Sequence, residues 1–149
     1  MKGNSEVKGN LCNFEGTITV EQVRVYKKNY HSGEDQPAND KEQGLLIGKY
    51  HFKENPKQKH SGVFKGYIVL AWRVASDGKL KIEDNEFGVS DWYTNNQCVG
   101  TWSPVKGKKS KHANWGEYRI PDSGDLDSGA GEFHPSAKYI KNGWIDLGR

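Results

Sequence analysis

The sequence is short of three things: long apolar runs, sulfur, and the short motifs of common catalytic sites. No stretch approaches the roughly 18 consecutive apolar residues of a membrane-spanning helix, so no such span is expected. The N-terminal MKGNSEVKGNLCNFEG lacks the apolar core of about seven or more residues that a signal peptide carries. A chain that begins at Met1 is therefore expected in the cytoplasm; an exported chain with its leader removed would read the same way. Sulfur amounts to one Met and two Cys. Cys12 and Cys98 lie far apart without the Cys-x-x-Cys spacing of a zinc site. Each sits beside strand-like sequence, where an unpaired thiol is commonly buried; a single disulfide is the alternative. There is no G-x-S-x-G, no H-E-x-x-H and no P-loop. Nor is there a strong charge excess. The 22 basic and 19 acidic side chains leave a net charge of +3, too small for a dedicated nucleic-acid binder.

What the sequence does have is glycine and aromatics. There are 18 Gly, 5 Trp, 7 Tyr and 5 Phe among 149 residues. Mean hydropathy is −0.90, polar enough to permit disorder, but disordered chains are poor in aromatics. A chain of this length suits one domain. Glycine-rich sequence with aromatic and β-branched alternation reads as short strands joined by tight turns.

The strand rows can be taken in order. Residues 1–12 are polar and are expected to be flexible. Phe14, Ile18 and Val20 share one face, while Val23 and Val25 continue on the opposite phase, which predicts a bulge or a bend at Glu21-Gln22. Residues 29–43 read as a long loop. A second strand over 45–54 puts Leu46, Gly48, Tyr50 and Phe52 on one face, with Lys49, His51 and Lys53 on the other. The clearest strand follows, with Phe64, Gly66, Ile68, Leu70, Trp72 and Val74 in alternation. After it, a three-residue Ser76-Asp77-Gly78 loop places Leu80 and Ile82 opposite Val74 and Trp72. A two-residue loop would set them against Ala75 and Arg73, so the apolar pattern selects the longer one. Phe87–Val89 reads as a further short strand, and residues 91–96 as a turn. Residues 98–120 form a hairpin with a long basic tip, and the segment near Ser136 starts one short C-terminal helix.

The fold expected is all-β: a single antiparallel barrel or a β-sandwich. The Gly-and-aromatic strands GKYHF, FKGYI and VGTW resemble the up-and-down barrels of the lipocalin and avidin type. That resemblance implies an architecture and no ligand or site.

Four features carry candidate chemistry. The loop from 122 to 134 holds Asp122, Asp125, Asp127 and Glu132 on a Gly-bent path. Carboxylates so spaced suit Ca²⁺, which takes six to eight oxygens, but the EF-hand spacing is absent and the first reading of these residues is a solvated turn whose Asp and Ser side chains bond their own backbone. No cofactor is expected, with calcium as the alternative. The same loop, through Asp125, Asp127, Glu132 and His134, is the place for a hydrolase-type site around a metal or a water. The basic tip has Lys106, Lys108, Lys109 and Lys111 beside His112. Its lack of Arg argues against bidentate phosphate contacts, so a protein partner or small ligand is expected there and nucleic acid is not. Trp92 and Tyr93, with the amides of Asn95 and Asn96, form a loop fit to stack on a sugar or a protein hot spot. Trp72 and Trp102 lie on core-facing rows. The function expected is non-catalytic binding through the loops at one end of the sheet, with the hydrolase or Ca²⁺-dependent reading as its rival.

Overall fold

The two longest alternating segments pair with each other. Glu42–Glu54 (β3) and Gly62–Val74 (β4) run antiparallel in a register that sets Tyr50 against Gly66 and Phe52 against Phe64. The computed structural model describes residues 1–28, 40–82, 95–107, 109–130 and 133–144. Its other elements are Lys2–Val7 (β1), Asn10–Val25 (β2), Leu80–Ile82 (β5), Asn95–Pro104 (β6), Lys111–His112 (β7), Trp115–Glu117 (β8) and the short helix Ala137–Ile140 (α1). All strand pairs are antiparallel, in the order β1-β2-β3-β4-β6-β7. β5 pairs with the end of β4, and β8 with the start of β6.

Among the described residues this sheet is open. β1 and β7 stand at the two ends of the pairing order and do not pair with each other. The closed barrel is therefore not formed by these strands, and the supported description is a single antiparallel sheet. Ser5 and Val7 of β1 nevertheless line one cleft with Lys111 and His112 of β7, so the sheet curls until its edges approach. No described helix is long and apolar enough to cross a membrane.

Because strand side chains alternate between faces, the register assigns the core. Phe14, Ile18, Leu46, Tyr50, Phe52, Phe64, Ile68 and Leu70 share the inner face and pack together. Tyr50 and Phe52 are 1% and 2% exposed. The Tyr50 ring centroid lies 5.1 Å from those of Phe52 and of Trp115, and Phe14 stacks on Phe52 at 5.2 Å. Burying one such ring contributes about 1.5–3 kcal/mol. The ring of Tyr50 extends from β3 across β4 and β6, which is permitted because Gly66 and Gly100 face each other beneath it.

The phase change foreseen in β2 is present: the register shifts between Val20 and Gln22, and Val23 and Val25 stay on the inner face beside Leu46 and Gly44. The three-residue loop is also found, with Leu80 opposite Val74, Ile82 opposite Trp72, and Gly78 at φ 82°. Leu80 and Ile82 remain 66% and 52% exposed.

Residues 1–12, read from sequence as loose, are paired into the sheet. They form β1, a turn and the start of β2, because backbone pairing needs no apolar side chains and Gly3 lets the Phe14 ring lie against the strand. β3 begins at Glu42 instead of 45, and Gln43, read as loop, is 4% exposed. Its amide donates to Asp40, which also pairs with Arg73 at 2.9 Å. The returning strand of the hairpin expected over 98–120 ends at Glu117. Tyr118 turns it at φ 62°, and the Gln97 amide takes the carbonyls of Glu117 and Arg119. Phe87–Val89 lies outside the described residues.

Both cysteines are free and 1% exposed, so the disulfide is not formed. Burial pushes the Cys98 thiol up to about 12. Burial, and then the nearby Cys98, push the Tyr50 phenol up as well. A raised folded pKa gives stability that is whole below the unfolded value and lost as pH climbs through the folded one. Alkaline titration of the unfolding free energy should thus fall from near pH 9, by up to about 1.4 kcal/mol per pH unit per group, and more steeply once tyrosine titrates in the unfolded chain. Cys98→Ala should flatten the first part of that decline. An unchanged slope in the variant would contradict the burial of this thiol.

Candidate functional site

An inner-face row of β3 runs Leu46, Gly48, Tyr50, Phe52 and then Glu54. A carboxylate thus continues an apolar series, and it is 5% exposed. Among the described residues three donors meet it. Ser5 Oγ donates to one oxygen, while Gly62 N at 2.6 Å and Trp102 Nε1 at 3.0 Å donate to the other. These come from β1, β4 and β6, so one side chain ties three strands together. Among the described residues no Lys, Arg or His forms an ion pair with Glu54.

Glu54 lies at the floor of a cleft of about 670 Å³, within the usual size of small-ligand sites. Phe64 and Trp102 give it apolar walls, and Val7 lies at its edge. Lys8, Lys59, Lys111, His60 and His112 add basic groups to the lining. The Lys111 ammonium stands 5.9 Å from the Trp102 ring centroid, within cation–π range.

Local sequence explains the placement of these groups. Lys8 and Gly9 have φ of 51° and 75°, as a two-residue I′ hairpin turn requires. The turn after β3 is built on Asn55, whose side chain accepts from Lys57 N at 3.0 Å while its carbonyl accepts from Gln58 N. β2 holds this turn through Asn13 N to Gln58 and through the Asn10 amide to the Lys59 carbonyl. His60 then takes φ 58°, an uncommon conformation for a residue with a Cβ. Lys59 and His60 are thereby presented to the cleft.

The structure distributes the residues singled out by sequence. Trp92, Tyr93, Lys108 and Glu132 lie outside the described residues. Asn95 and Asn96 belong to β6 instead of a loop. Asn96 sits at a bulge with φ 48°, which Asn tolerates, and its amide donates to Glu117 at 2.5 Å. Lys106 and Lys109 are exposed on the tip of the β6–β7 hairpin, and Lys111 reaches the cleft.

The acidic loop is engaged by the protein itself. Asp127 pairs with Arg119 at 2.8 Å and accepts from Gly129 N and His134 N. Asp125 binds Lys138 and Tyr139 of α1, and the Lys138 ammonium, then the Tyr139 hydroxyl, hold its carboxyl below the ordinary range. Asp122 is exposed at φ 52°. Among the described residues, no three His, Cys, Asp or Glu side chains are placed to share a metal ion. Pairing Asp127, whose side chain is 3% exposed, with Arg119 makes it a structural anchor. Asp127→Asn should cost about 1–3 kcal/mol, read in urea without added metal. A loss below 0.5 kcal/mol, on the order of a typical surface change, would contradict this anchoring.

Sequence reading missed Glu54, Ser5 and His60. The available signal was the acidic residue that continues the Leu46–Phe52 row. Trp102 was expected on a core-facing row and is found there, half-buried, as a cleft wall.

No protein-family model matches the chain, and no curated protein or solved structure matches it.

Proposed function

We propose that this protein is a non-catalytic binding module that takes a small ligand in the cleft floored by Glu54. In this reading the sheet is an open-sided cup of the barrel type, and the ligand enters where the edges β1 and β7 approach. The observation that carries the reading is a buried carboxylate, without a cationic partner among the described residues, at the base of a cleft of ligand size. Rigid strands hold the acceptor, the aromatic walls supply apolar area, and the lysines at the mouth attract a charged ligand. The expected use of loops at one end is kept in part, since the β6–β7 hairpin contributes Lys111 and His112.

The test is a fragment library screened by thermal shift. A ligand that binds the folded state raises its stability by mass action. Val7 is 66% exposed and lines the cleft, so Val7→Trp should obstruct the mouth without loss of fold. Hits that stabilise the native protein and lose their effect in Val7→Trp support the reading. Hits that stabilise both proteins equally overturn it.

A further inference from the structure

We infer that the ligand is a small zwitterion, whose ammonium group is set against Glu54 and whose anionic group meets the lysines at the mouth. The inference rests on the cleft being the binding site and names the chemistry that the site selects.

The floor comes first. A buried carboxylate is costly unless it is paired and hydrogen-bonded. The donors to Glu54 are a hydroxyl, a backbone amide and an indole, all neutral. They offset desolvation and, among the described residues, leave the charge without an opposite charge in contact. An ionised carboxylate accepts about four hydrogen bonds, so three donors do not exhaust it. A ligand ammonium supplies both the missing donor and the missing charge. A ligand hydroxyl would supply the donor alone, and a ligand carboxylate would be repelled.

The walls agree. Phe64 and Trp102 present π-systems beside the carboxylate, and an ammonium is stabilised over such a face. A cation already occupies this environment from within the chain, since Lys111 lies over the Trp102 ring. The mouth then excludes a simple cation. Lys8, Lys59 and Lys111 line it, and like charges at close range oppose entry of a ligand that is only positive. A molecule with an ammonium at one end and a carboxylate or phosphate at the other satisfies floor and mouth together.

The experiment compares three probes of one chain length: δ-aminovalerate, pentylammonium and valerate. Binding is followed by NMR at Trp102 Nε1–H and Gly62 N–H, the two N–H protons donated to Glu54 among the described residues. δ-Aminovalerate should bind at least about tenfold more tightly than either single-charge probe, a difference of about 1.4 kcal/mol, and should move both resonances. Glu54→Gln should remove the preference over valerate. Lys59→Ala should remove the preference over pentylammonium. If valerate binds as tightly as δ-aminovalerate, or the preference survives Glu54→Gln, the ligand class is wrong and the cleft stands. If none of the three probes moves these resonances while hits from the fragment library do, the class is likewise overturned and the cleft stands. If neither probes nor hits move them, both readings fall. The comparison of the three probes on the native chain holds even if Glu54→Gln does not fold.

Discussion

Gly100→Ala is expected to prevent stable folding. A Cβ at this position would lie 2.2 Å from the Lys65 carbonyl oxygen and 2.2 Å from the Tyr50 hydroxyl. Gly66→Ala meets the Val99 carbonyl at 2.1 Å and the same hydroxyl at 2.5 Å. Both obstructions include backbone of the pair β4–β6, which cannot yield without loss of the register. Overpacking of this kind costs about 3 kcal/mol or more, a large part of the roughly 5–15 kcal/mol that holds a domain together. Gly9→Ala is the control. Its backbone is at φ 75° with nothing within 4 Å of the new Cβ, so it should lose only about 1–2 kcal/mol, the cost of the left-handed conformation. Chemical denaturation of the three variants reads the difference. A Gly100→Ala protein as stable as Gly9→Ala would contradict the placement of Tyr50 over the glycine pair. Tyr50→Phe sharpens the test. The Tyr50 hydroxyl is buried and, among the described residues, has no hydrogen-bond partner, so its removal should not destabilise the fold and relieves a penalty of about 1–3 kcal/mol.

Glu54→Ala should destabilise by about 3–5 kcal/mol. The substitution leaves Gly62 N–H and Trp102 Nε1–H without an acceptor and releases Ser5, and each stranded buried donor costs about 1–3 kcal/mol. Ser5 is the link to β1, so the loss should be greatest there. Hydrogen exchange should quicken along Lys2–Val7 before it does in β3 or β4. Ser5→Ala should reproduce the change in β1 at smaller cost, since only one donor is removed. Equal exchange in β1 for the native protein and Glu54→Ala would contradict a structural tie through this carboxylate.

The architecture was legible where alternation was long. Tyr50, Phe52, Ile68 and Leu70 sit on the face their period assigns, and the β2 bulge announces itself through the change of phase between Val20 and Val23. The β4–β5 register was also legible, because one loop length aligns apolar partners and the other does not. β1 was not legible. Lys2–Val7 has no apolar row, and its place comes from pairing with β2 and from Ser5 reaching Glu54. Closure of a barrel was not legible either, since pairing between distant strands leaves no local pattern. The site was legible in small part. Lys111 and the inner position of Trp102 were read from sequence, while Glu54 looked like the end of a strand. Its role depends on three residues from other strands, at separations no periodicity reports. The partners of the acidic loop were not legible either: that Arg119 pairs with Asp127 and Lys138 with Asp125 depends on contacts that the spacing of the carboxylates does not report.

The most direct measurement of the central claim is an NMR titration of the native protein with the hits from the fragment library. Trp102 Nε1–H and Gly62 N–H both donate to Glu54, so a ligand seated on the cleft floor must move both. The account predicts that these two resonances shift together and saturate with one affinity, with Val7 and His60 following. Shifts confined to the outer face, at Lys49, His51 and Tyr67, with Trp102 and Gly62 unmoved, would contradict it.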